Sequence, residues 1–89
     1  MLDWAKTADG WALNLDGTDA AIGFSFPRLE LHSSPRGWQC LCLLADGTSH
    51  QPRGAMDSTP SAKRAVIEQA RAVLGPPYAT VLDEMLRGR

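Results

Sequence analysis

The chain has 89 residues, 44% of them hydrophobic, and a formal net charge of −1. The apolar content is too high for a disordered chain, and the length supports one small domain, 1–89, that is marginal unless well packed. A near-neutral balance gives no bulk attraction to nucleic acid or to anionic lipid, and no run approaches the length of a membrane span.

The charge is unevenly spread. Residues 1–50 carry Asp3, Asp9, Asp16, Asp19, Glu30 and Asp46 against Lys6, Arg28 and Arg36, whereas the bases prevail in 51–89. The opening Leu2-Asp3-Trp4 has neither the basic start nor the apolar core of a secretory leader, so a cytoplasmic protein is expected.

Three Asp-Gly pairs, Asp9-Gly10, Asp16-Gly17 and Asp46-Gly47, punctuate stretches of alternating polarity. Asp-Gly accepts the positive backbone angles of tight hairpin turns. With Asp9-Gly10 as a two-residue loop, Lys6 faces Leu13 and Trp4 faces Leu15. Trp4, Trp11, Leu13 and Leu15 then share one face. With Asp16-Gly17 as the next loop, Leu13 faces Ala20 and Trp11 faces Ile22, and Ile22, Phe24 and Phe26 extend that apolar face. Apolar parity flips across Pro27, from Phe26 to Leu29, which predicts a bulge or bend.

Ser34-Pro35-Arg36-Gly37 has the composition of a type I turn. Pairing across it sets Ser33 opposite Trp38, Leu31 opposite Cys40 and Leu29 opposite Cys42. The reverse side then holds Arg28, Glu30, His32, Gln39, Leu41 and Leu43. The third Asp-Gly returns the chain and sets His50 near Leu43.

Residues 52–58 form a connecting loop. Thr59 suits an N-cap and Pro60 the first helical position. Ala62, Val66, Ile67, Ala70, Val73 and Leu74 fall on one helical stripe ending at Gly75. A short second helix presents Tyr78, Val81, Leu82 and Met85. The fold class is therefore α+β: a curved antiparallel meander of four to five short strands (1–52), followed by one or two C-terminal helices (59–87) packed on one sheet face.

Chemistry-bearing constellations are sparse. Cys40 and Cys42, at C-x-C spacing on a strand, lie about 7 Å apart, too far for an unstrained disulfide. They read as small buried hydrophobes, and no further ligand is spaced to complete a metal site with them. His32 and His50 are expected on the polar face, roughly 15 Å apart, too far to share a metal or act as a catalytic pair. Asp46, Ser49 and His50 supply triad residue types without triad geometry. No catalytic residue, metal site or cofactor is assigned.

Lys63 and Arg64 open the first helix, with Arg53 in the loop before it. Bases at that end oppose the helix dipole, so a phosphate or acidic partner would account for them. The segment Ser61-Ala62-Lys63-Arg64-Ala65 resembles the basic turn that opens the C-terminal helix of the double-stranded RNA-binding domain. The likeness covers residues 59–74 alone. A hairpin stands at 2–15 where that family has its first helix, so membership is not assigned.

Leu41 and Leu43 stand out on a strand face that should meet solvent. An apolar pair at that position predicts an interface. The function expected is that of a small non-enzymatic protein-binding module, an adaptor or inhibitor. In size and lack of an active-site motif it is comparable to accessory proteins of phages and mobile elements. Its interface would comprise Arg28, Glu30, His32, Gln39, Leu41 and Leu43, and its partner would be another protein or a second copy. The alternative is nucleic-acid binding through Arg53, Lys63 and Arg64.

Overall fold

The computed structural model describes residues 3–52, 58–76 and 78–87. Five strands, β1 (Ala5–Lys6), β2 (Gly10–Asn14), β3 (Arg28–Ser34), β4 (Gly37–Leu43) and β5 (Ser49–His50), form an open antiparallel sheet in sequence order. Two helices, α1 (Thr59–Leu74) and α2 (Ala79–Arg87), follow. Helix α1 packs on β3 and β4, and α2 packs on α1.

The β3–β4 hairpin has the register expected from its turn. Ser34 pairs with Gly37, Ser33 with Trp38, Leu31 with Cys40 and Leu29 with Cys42. Alternation then sends Leu29, Leu31, Cys40 and Cys42 toward the helices, where all four are buried. Ala62, Val66, Ile67 and Ala70 of α1 close over them, together with Leu82 of α2. The alanines bring α1 close enough for the Cys40 thiol to lie 3.6 Å from the Ala62 carbonyl oxygen. Burial pushes both thiols above their ordinary pKa, as expected of small buried hydrophobes. Fully burying a leucine-sized side chain contributes about 1.5–3 kcal/mol, so this layer dominates the stability.

The other turns differ from expectation. In the first hairpin Lys6 pairs with Trp11 and Ala5 with Ala12, so the loop centres on Ala8-Asp9 rather than Asp9-Gly10. The shift is two residues, which preserves the faces: Trp4, Trp11 and Leu13 still point toward the helices. Gly10 sits inside β2, without a positive φ. A Cβ there would lie 2.0 Å from the Leu31 carbonyl oxygen and 2.9 Å from the Trp38 ring. Close approach, not turn geometry, requires this glycine.

No hairpin forms at Asp16-Gly17. Strand β2 pairs directly with β3, Leu13 opposite Leu29 and Asn14 opposite Arg28. With that edge taken, and closed by the Leu15 N–H donating to the Pro27 carbonyl at 2.8 Å, residues 16–26 join no strand, and Ile22, Phe24 and Phe26 do not extend the helix-facing layer. Nor does a bulged strand cross Pro27; β3 begins at Arg28.

Asp16-Gly17-Thr18 and Asp46-Gly47-Thr48 are instead the same device. The glycine φ values are 95° and 90°, and each aspartate carboxylate accepts the threonine N–H at 2.9 Å. Gly17 N–H bonds the Asn14 carbonyl and Gly47 N–H the Leu44 carbonyl, both at 3.1 Å. This is a type I turn closed by a left-handed residue, one residue longer than the expected loop. At Gly47 the extra residue sets His50 opposite Cys42 and Ser49 opposite Leu43. His50 therefore points to the helix side, not the polar face.

Helix α1 is capped by Ser58, one residue before the expected Thr59. Ser58 has extended backbone angles, and its hydroxyl accepts the Ser61 N–H at 3.3 Å. Thr59 is already helical. Pro60 fits the first turn either way, because no N–H there has an acceptor within the helix. At the C-terminal end Gly75 (φ 60°) donates its N–H to the Arg71 carbonyl. Most of the loop expected at 52–58, including Arg53, lies outside the described residues.

Candidate protein-binding face

Opposite the helices, the outer face of the sheet carries Ala12 and Asn14 from β2, Arg28, Glu30 and His32 from β3, and Gln39, Leu41 and Leu43 from β4. The register therefore brings the six residues expected for an interface onto one face. Their roles differ.

Arg28 is only 7% exposed. Its Nη1 donates to Asn14 Oδ1 at 2.9 Å and to the Gly23 carbonyl at 3.1 Å, and its Nε donates to Glu30 Oε2 at 2.7 Å. The Asn14 amide donates to the same Gly23 carbonyl at 3.1 Å. Glu30 Oε1 lies 2.9 Å from His32 Nε2, and His32 Nδ1 lies 4.0 Å from Asp9. A buried guanidinium is tolerable only when its donors are met, and here they tie loop 15–27 to the sheet. Arg28 is a strut beneath the surface. Burial alone would raise the Glu30 carboxyl pKa, but the bonds from His32 and Arg28 outweigh it and hold the group below its ordinary value.

Loop 15–27 folds back over this network. The Phe24 ring stacks on the Arg28 guanidinium, 4.3 Å from centroid to Cζ, and meets the Phe26 ring edge-to-face at 5.1 Å. Both rings remain exposed, at 58% and 42%, and Ile22 is 87% exposed. Leu43 is the cross-strand partner of Arg28 and Leu41 that of Glu30. Both leucines are partly buried, and neither joins the core cluster.

The basic residues of the first helix are placed differently. Lys63 Nζ lies 4.0 Å from the Trp11 ring centroid and 5.7 Å from that of Trp4. Burial lowers its pKa, only partly countered by Asp3. Arg64 pairs with Glu68 at 3.4 Å, the expected i,i+4 contact. Lys63 is thus held by aromatic faces of its own chain, a contact no spacing in the sequence shows.

Other constellations stay apart. Ser49 and His50 point to opposite faces of β5, so Asp46, Ser49 and His50 do not converge. A shallow groove beside β1 and β2 is lined by Asp3, Trp4, Ala5, Leu13, Asn14, Gly17, Thr18 and Asp19, with no histidine, cysteine or base. Among the described residues no three His, Cys, Asp or Glu side chains are grouped to hold a metal ion, and no helix is long and apolar enough to cross a membrane.

Comparison with protein-family models, curated proteins and solved structures returned no match.

Sequence reasoning missed Ile22, Phe24 and Phe26 as surface residues. The signal available was the run Thr18-Asp19-Ala20-Ala21, poor strand material just before them.

Proposed function

We propose that this protein is a small non-enzymatic binding module, of adaptor or inhibitor type, that docks onto another protein through its outer sheet face. The observation that carries the proposal is the exposure of Ile22, Phe24 and Phe26 on the loop, with the partly buried Leu41 and Leu43 on the outer sheet face. Large apolar side chains clustered in solvent are the usual mark of an interaction surface. Beneath them Arg28 and Glu30 already have their hydrogen bonds, so covering this face leaves no buried charge unpaired. Two buried thiols without a disulfide suit a reducing, cytoplasmic setting.

The test is the double variant Leu41→Glu/Leu43→Glu, with native circular dichroism as the control for folding. It should abolish partner recovery from the native host. Recovery equal to wild type would refute the proposal.

A further inference from the structure

Asn14, Arg28 and Leu43 lie in one cross-strand row, so the turn after β2, loop 15–27 and the turn after β4 all leave the sheet at the same end. Among the described residues, the solvent-exposed charges carried by the turns at that end are of one sign. From Thr7 to Pro27, and again from Gly37 to Pro52, the chain holds no lysine or arginine. Arg28, between these stretches, is buried and committed to Asn14, Gly23 and Glu30. Lys6 points to the helix side with Trp11, and Arg36 sits at the far end of the β3–β4 hairpin. Among the described residues, the solvent-exposed formal charges on the turns at this end are the carboxylates of Asp16, Asp19 and Asp46. Asp16 and Asp46 are held ionised, below their ordinary pKa, by hydrogen bonds from Ser25 and Thr48 respectively.

We infer that the occupant of this face is a cationic amphipathic protein segment. Its apolar side chains seat among Ile22, Phe24, Phe26 and Leu43, and its lysines or arginines meet Asp16, Asp19 and Asp46. The inference rests on the docking role proposed above and names the chemistry of the partner. An apolar patch rimmed by carboxylates repels the phosphates of nucleic acid and of anionic lipid. It disfavours a second copy as well, because a two-fold contact sets each acidic rim against itself.

Three synthetic peptides test this by titration calorimetry on the intact protein. The first carries leucines at helical i, i+3, i+4, i+7 spacing and lysines elsewhere, the second replaces every lysine with glutamate, and the third scrambles the first. The lysine amphipath should bind with a Kd tighter than about 100 µM, and the other two at least about tenfold more weakly. Added salt should weaken the binding, as should Asp19→Asn/Asp46→Asn. Ile22→Ser, at a side chain that supports nothing in the fold, should weaken it about tenfold. Equal binding of the glutamate peptide, or no binding of the lysine peptide, overturns the inference. So does a concentration-dependent dimer that Ile22→Ser dissolves. If the glutamate peptide or a second copy binds and Leu41→Glu/Leu43→Glu abolishes that binding, the docking face stands and only the cationic occupant falls. Lysine-peptide binding unchanged in Ile22→Ser and in Leu41→Glu/Leu43→Glu removes both.

Discussion

The Lys63 ammonium lies 4.0 Å from the centre of the Trp11 ring, joining the start of α1 to the first hairpin. A cation over an indole face is worth about 1 kcal/mol when partly desolvated. This contact accounts for a base near a helix N-terminus, where the dipole opposes it. Lys63→Ala should therefore lower stability by about 1 kcal/mol in chemical denaturation and alter tryptophan emission. Arg64→Ala, which removes an exposed i,i+4 pair, should leave both almost unchanged.

Arg28 and Glu30 give a second expectation. Arg28→Met leaves Glu30 Oε2 and Asn14 Oδ1 without their donor, and should cost about 3 kcal/mol, the scale for breaking a buried pair. Arg28→Lys should not restore it, because one ammonium cannot reproduce the guanidinium fork that spans these acceptors.

The same network sets a pH dependence. The Glu30 carboxyl is held below its ordinary pKa in the folded state. Its contribution is therefore present above the unfolded value and disappears as the pH falls through the folded one. Melting temperatures measured from neutral pH into acid should fall less steeply for Glu30→Gln than for wild type.

The glycines separate two kinds of cost. Gly10→Ala drives a methyl group into the Leu31 carbonyl and should destabilise by about 1–3 kcal/mol or more. Gly47→Ala meets nothing within 4 Å, so its cost is the left-handed backbone alone, about 1 kcal/mol. Asn should rescue position 47, since it visits that backbone region readily, and should fail at position 10. Thermal melts of the four variants distinguish the cases.

Helix α2 is anchored by packing, not by charge. Leu82 is fully buried, and Leu82→Ala should cost about 2–5 kcal/mol. Arg71 donates to both carboxylate oxygens of Asp83, but the pair is solvent-exposed. Arg71→Ala should leave the melting temperature nearly unmoved.

Where turn chemistry and alternation agreed, the sequence was sufficient. Ser34-Pro35-Arg36-Gly37 determined the β3–β4 register, and with it the opposite faces of Cys40/Cys42 and Leu41/Leu43. The helix stripe from Ala62 to Ala70 was equally plain. The sequence misled where one dipeptide serves two geometries. Asp-Gly fits a two-residue hairpin, a three-residue turn closed by a left-handed glycine, and a strand start pressed against a carbonyl; the choice depends on which strand edge is free. Ile22, Phe24 and Phe26 alternate like a strand, yet β3 already occupies the edge of β2 they would need. The Arg28 network and the Lys63–Trp11 contact join residues distant in sequence, and no local pattern encodes them. The candidate face was legible in its sheet residues and hidden in its loop.

The most direct test of the central claim is an amide hydrogen-exchange footprint of the protein bound to the partner that wild type recovers from its host. Binding through the outer face should protect the amides of Gln39–Leu43 and of the Ile22–Phe26 loop, leaving Thr59–Arg64 as in the free protein. Protection confined to the start of α1, with the loop and β4 unchanged, would contradict it.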